Sequence, residues 1–185
     1  MYIELNKKIK EIFDQDTIIG TEILSSEKLN IFLKEYNISL PDDFKYFVTH
    51  FNPFYIKEDY YFEMKEKSSL TPTNGYEYLD CFYTIDIIDN TKIFFDTHTN
   101  SVMPIGESNG DYVCIGITPN NYGKIFYFYH EDEERKDGLY LIADSFTDFI
   151  MKFQYLPDNI INISYDPSDV ILSKDLIKSI EKFQK

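Results

Sequence analysis

The segment from Lys124 to Glu134 limits what this chain can fold into more than any other. It reads Lys-Ile-Phe-Tyr-Phe-Tyr-His and then runs directly into four consecutive acids, Glu131, Asp132, Glu133 and Glu134. As a strand, it would point Ile125, Tyr127 and Tyr129 to one face and Phe126, Phe128 and His130 to the other. Large apolar groups on both faces call for an interior strand with a helix over one side. The tyrosine side, with apolar bodies and polar tips, suits a half-exposed sheet face. The acids then mark the point where the chain leaves the sheet for water.

The cover for such a strand is legible upstream and downstream. Leu5, Ile9, Ile12 and Phe13 recur at helical spacing, as do Leu29, Phe32, Leu33 and Tyr36 in a second segment from about Ser26 to Tyr36. In Leu40–Asn52, Pro41 suits a helix start, and Asp42 and Asp43 complement the positive end of the helix dipole. Phe44, Phe47, Val48 and Phe51 form the buried stripe. Downstream, Ser145 is a good N-cap with Asp148 three residues on, and Phe146, Phe149, Ile150 and Phe153 line one face up to Pro157. A last helix is predicted over about Lys174–Phe183.

Between these helices the period shifts to two. Strands are predicted over Tyr60–Met64, Leu79–Ile88, Lys92–Asp96, Ser101–Ile105, Tyr112–Ile117, Lys124–His130 and Leu139–Ala143. Asp89-Asn90, Asn109-Gly110 and Pro119–Gly123 supply turns. The expected fold class is α+β: a largely antiparallel or mixed central sheet of about six strands, flanked by N- and C-terminal helices. A single domain is expected over residues 1–185, with a C-terminal helical extension over 157–185.

Charge narrows the partners. The formal net charge is −14, and Glu77–Asp148 holds 14 acids against 4 bases, with Arg135 the one arginine of the chain. Nucleic acid and anionic membrane are poor fits, because phosphate contacts need Lys and Arg. A basic protein partner fits. With no signal-peptide stretch and no bilayer-length apolar run, a cytoplasmic location is expected. Cys81 and Cys114 sit in apolar strand-like runs and read as buried thiols.

Little points to catalysis. Gly106-Glu107-Ser108-Asn109-Gly110 matches the G-x-S-x-G elbow, but the chemistry needs a helix after the serine, and here a strand follows. Asn-Gly between strands reads as a hairpin turn instead. His50, His98 and His130 lack metal-ligand spacing, and the run Glu131–Glu134 lacks the alternation and glycine bend of a calcium loop. No cofactor or metal is expected, and a hydrolase using Ser108 or a His/acid pair is the third reading.

Three stretches in order resemble the SUKH superfamily. They are LPDDFKYFVTHFN; VMPIGESNGDYVCIGI; and GKIFYFYHEDEE followed by LIADSFTDFI. The resemblance covers about residues 26–155. The chain departs from the family's usual Asn-Gly-Gly at Asn52-Pro53-Phe54, and from its usual Trp at Phe128-Tyr129-His130. The resemblance implies a mixed sheet flanked by helices, no enzymatic activity and a role in protein binding. Bacterial members are frequently immunity proteins that block toxin domains, and fungal relatives are interaction modules in cell-wall regulation.

The expectation is therefore a non-catalytic immunity protein that neutralises a cognate toxin domain, a basic nuclease-type effector. A regulatory scaffold with a non-toxin partner is the alternative. The residues expected to bind the partner are Glu107, Asp111, Glu131, Asp132, Glu133, Glu134 and Asp137, with Tyr112, Tyr127 and Tyr129 as anchors. A solvated hairpin loop would account for the same acids.

Overall fold

A computed structural model describes residues 2–18, 23–51, 54–83, 87–108 and 110–157. The helix expected over Lys174–Phe183 lies outside the described residues. Four helices form where the apolar spacing placed them. They are α1 (Ile3–Ile12), α2 (Ser26–Glu35), α3 (Asp42–His50) and, later in the chain, α5 (Phe146–Lys152). Ser25 caps α2 by accepting from the Lys28 amide, and Ser145 caps α5 by accepting from the Asp148 amide, each satisfying a donor the helix itself leaves free. Asp43 does more than complement a dipole. Its second carboxylate oxygen accepts from both the amide and the hydroxyl of Thr147 at 2.9 Å, tying the start of α3 to the start of α5.

The strands are β1 (Phe13–Ile18), β2 (Phe54–Ile56), β3 (Tyr60–Glu63), β4 (Tyr76–Tyr78), β5 (Cys81–Phe82), β6 (Val102–Ser108), β7 (Asp111–Gly116), β8 (Ile125–Phe128), β9 (Leu139–Ala143) and β10 (Gln154–Tyr155). Seven form one sheet in the order β1-β2-β5-β6-β7-β8-β9, and a smaller sheet runs β10-β3-β4. Every pairing is antiparallel, so the fold is α+β with no parallel component among the described strands. The β6–β7 hairpin pairs Ser108 with Asp111, and its turn holds Gly110 at φ +91°, a conformation that costs a glycine little and other residues much.

Several stretches depart from their expected structure: β1, β2, β4 and β10 add strands the sequence reading did not place, Phe13 opens a strand where it was read on the first helical stripe, and the sheet expected with about six strands is two sheets of seven and three. Ile87–Thr97 is a helix, α4, where the sequence reading placed the end of one strand, a turn at Asp89-Asn90 and the strand Lys92–Asp96. Ile87, Thr91 and Phe94 are buried at helical spacing. The β-branched and aromatic content of this run favours a strand locally, and packing against the sheet overrides it. At its other end, α5 stops at Lys152 rather than near Pro157, because Phe153 turns extended and Gln154–Tyr155 pairs with Tyr60–Tyr61.

The α4 helix also changes what the two faces of the sheet are. The Ile125/Tyr127/Tyr129 side is not half-exposed. It packs into the main core with Phe44, Phe47, Phe62, Phe146 and Phe149. The Phe126/Phe128 side is covered by α4, in a smaller cluster of Phe94, Val102, Cys114, Phe128 and Leu139. Each fully buried aromatic contributes about 1.5–3 kcal/mol, so the main core carries most of the stability. Cys81 and Cys114 are buried and form no disulfide, and burial pushes the Cys114 thiol well up.

The outer edge of β9 is closed by a loop. The Glu66 amide donates to the Leu141 carbonyl at 2.9 Å, and the Glu66 carboxylate accepts from the Leu141 amide and from Arg135. Arg135 donates also to the Leu139 carbonyl and lies over the Tyr140 ring.

Candidate functional site

The antiparallel register sets the geometry of the acidic residues. Ser108 pairs with Asp111, Tyr112 with Phe128, and Phe128 with Leu139. The β6–β7 turn and the 129–138 loop therefore share one end of the sheet. Glu107, Asp111, Glu131, Asp132, Glu133, Glu134 and Asp137 all lie at that end, although they do not share a face. Glu107 is on the α4 side with Tyr112, where it accepts a hydrogen bond from the Tyr83 hydroxyl. Asp111 is on the main-core side, where one oxygen accepts from the His130 amide at 2.9 Å and meets the His130 ring at 2.6 Å.

The loop acids differ among themselves. Glu131, Glu133, Glu134 and Asp137 are exposed. Asp132 is half-buried and accepts from the Glu134 amide, and Asp137 accepts from the Leu139 amide, so both also shape the turn. Gly138, at φ +61°, closes the loop where an added Cβ would stand 2.9 Å from the Tyr129 carbonyl oxygen.

The tyrosines require a correction. Tyr112 is half-buried against Phe94 and Phe128. Tyr127 and Tyr129 are only 2% and 3% exposed, so their rings belong to the core and are not surface anchors. Both line a cavity of about 300 Å³ beneath the acidic loop.

That cavity contains the residue the sequence reading passed over. Glu77, from β4, is 6% exposed and lines it together with Asp111, His130 and Glu131. The Tyr129 hydroxyl donates to Glu77 at 2.7 Å, and Tyr129 lies 2.8 Å from the Thr71 hydroxyl, which in turn accepts from the Ser68 amide. Burial pushes the Glu77 carboxyl up to about 7; the Tyr129 bond opposes this and the nearby charge of Asp111 adds to it. Burial likewise raises the phenols of Tyr127 and Tyr129. The signal in the sequence was an acid between two tyrosines, Tyr76-Glu77-Tyr78, at the inward position of a short strand.

The nucleophile-elbow pattern has no matching geometry. Ser108 is the last residue of β6, fully buried, and β7 follows the turn. His50 stacks on Tyr46 and His98 stacks on Phe94. Among the described residues, no group of three or more His, Cys, Asp and Glu side chains is placed to hold a metal ion. Nor is any described helix long and apolar enough to cross a membrane.

The profile of the SMI1 / KNR4 family (SUKH-1) matches residues 23–152. The chain belongs to this family. The matched span begins just before α2 and ends with α5, and it includes the whole acidic end of the sheet and the Glu77 cavity. No curated protein and no solved structure matches the chain.

Proposed function

We propose that the chain is a non-catalytic immunity protein that binds and neutralises a toxin domain, a basic nuclease-type effector of a bacterial polymorphic toxin system. One observation carries the reading: Glu107, Asp111, Glu131, Glu133, Glu134 and Asp137 gather at one end of a sheet that is buried on both faces. Glu107 and Asp111 sit on strands of that sheet, and the loop that joins its last two strands carries the other four. A nuclease is positive where it holds phosphates, so an acidic edge would be steered onto that surface and would exclude the substrate. Membership of a family of protein-interaction domains supports the same reading.

The test begins with the reading frames that neighbour this chain's gene and uses a basic nuclease-type toxin domain encoded there. Association is measured by stopped flow at several salt concentrations, together with inhibition of nucleic-acid cleavage. Association that slows as salt rises, with cleavage blocked at one-to-one stoichiometry, is the expected result. Binding that ignores salt, or a complex that still cleaves, rejects the reading.

A further inference from the structure

The Glu77 cavity has a polar lining that the fold does not use up. Among the described residues, the Glu77 carboxyl is seen to receive one hydrogen bond, from the Tyr129 hydroxyl to Oε1. Asp111 lines the same cavity and bonds to His130 through one oxygen only. The fully buried Ser108 hydroxyl stands beside the phenols of Tyr78 and Tyr127 without closing a well-aligned hydrogen bond. Among the described residues, no lysine or arginine lines the cavity.

A nine-tenths-buried carboxylate without a cation is an unfavourable arrangement, and such groups are ordinarily paired. What is missing is a positive donor. The chemistry selects its type: several acceptors at different angles suit a fork of N–H groups, and the half-buried Tyr78 in the wall suits a flat cation that can lie against a ring. At about 300 Å³ the space is at the small end of ligand sites and has room for one long side chain.

We propose that this cavity receives the guanidinium of an arginine carried by a protein partner. The proposal rests on the immunity reading for the partner's identity, and on the cavity alone for its chemistry. In the complex, Glu77 and Asp111 accept from the guanidinium, Tyr78 flanks it, and Glu131 and His130 form the rim. Binding draws Glu77 fully into its charged form. Affinity therefore rises with pH, by about tenfold between pH 6 and pH 8 if only the carboxylate binds.

The test needs no toxin. Isotope-labelled protein is titrated with N-acetyl-arginine methylamide, with the lysine analogue and with the neutral citrulline analogue, and the Glu77 carboxyl resonance is followed by NMR at pH 6, 7 and 8. The arginine probe is expected to shift that resonance, to lower its titration midpoint and to bind more tightly at pH 8. Glu77→Gln should abolish this response with the rest of the spectrum unchanged. Asp111→Asn should weaken it without removing it, which also serves as the second variant if Glu77→Gln fails to fold. His130→Gln separates any contribution of the ring at the rim. An equal response to citrulline, tighter binding of lysine, or no movement of the Glu77 resonance overturns the proposal. A toxin that binds the wild type and Glu77→Gln equally well would also overturn it, while leaving the immunity reading intact. Absence of any toxin partner, with the arginine response present, would do the reverse.

Discussion

Two sets of carboxylates lie within one end of this molecule under opposite conditions. Glu131, Glu133, Glu134 and Asp137 stand in water on a loop, whereas Glu77 lies a short distance beneath them with almost none of its surface exposed. The outer charges act through a long-range field that salt screens and that needs no particular partner geometry. The inner one acts only on a group that enters the cavity, and its unpaired charge destabilises the fold until that happens. The outer set is suited to rate, the inner residue to discrimination.

The largest expected effect breaks or confirms the inner half of this contrast. The Glu77 carboxyl is held up to about 7 in the folded protein. The unfolded chain loses this proton first, near the ordinary range of about 4.3. Stability conferred by the neutral group is thus complete below about pH 4.3, is lost progressively as pH rises from there through 7, and is gone above it, a change of about 3 kcal/mol in all. Urea denaturation of wild type and Glu77→Gln at pH 4.5, 6 and 8 measures it. The variant should be the more stable protein at pH 8, and a parallel decline in both would remove Glu77 as the cause.

Next is Tyr129→Phe, expected to cost about 2 kcal/mol, because it leaves Thr71 and Glu77 without their shared partner. It should also raise the Glu77 midpoint further, which the carboxyl NMR titration reads directly. A lowered midpoint would mean that the hydroxyl does not donate to the carboxylate.

The outer half is tested by reversing Glu131, Glu133 and Glu134 to Lys while leaving Asp132 to hold the turn. Association with a basic partner should slow about tenfold at low salt and converge with wild type at high salt. Folding stability should move by no more than about 0.5 kcal/mol. A single Glu133→Gln change should alter association only slightly and stability by a few tenths of a kcal/mol at most, so a large loss from that one residue would mark a specific contact in place of a field.

The sequence made these two sets unequally visible. The run Glu131–Glu134 stands out in one dimension, as do the capped helices with Leu29 and Phe32, and with Phe44 and Phe47, at helical spacing. Glu77 becomes unusual only when β4 is laid against Tyr129, 52 residues away. Burial of a charge is a property of the fold, and one acid among many in an acidic chain carries no mark of it. The tyrosines were misjudged for a related reason. Their polar tips suggested a wet face, but both rings are buried, and the smaller sheet and the loop around Thr71 bring the Tyr129 hydroxyl its own hydrogen bonds. The α4 helix was hidden because Ile, Thr and Phe suit a strand locally, and only packing on Phe128 and Cys114 decides for a helix.

The Glu66–Arg135 closure of β9 bears on how any guest must arrive. An open terminal strand invites another backbone to zip alongside it, by a register that ignores side-chain identity. Here the main-chain groups of Leu139 and Leu141 are already occupied by the one arginine and its carboxylate partner. Visitors to this flank are left with side chains to read, a mode of contact that depends on sequence and does not seed fibres.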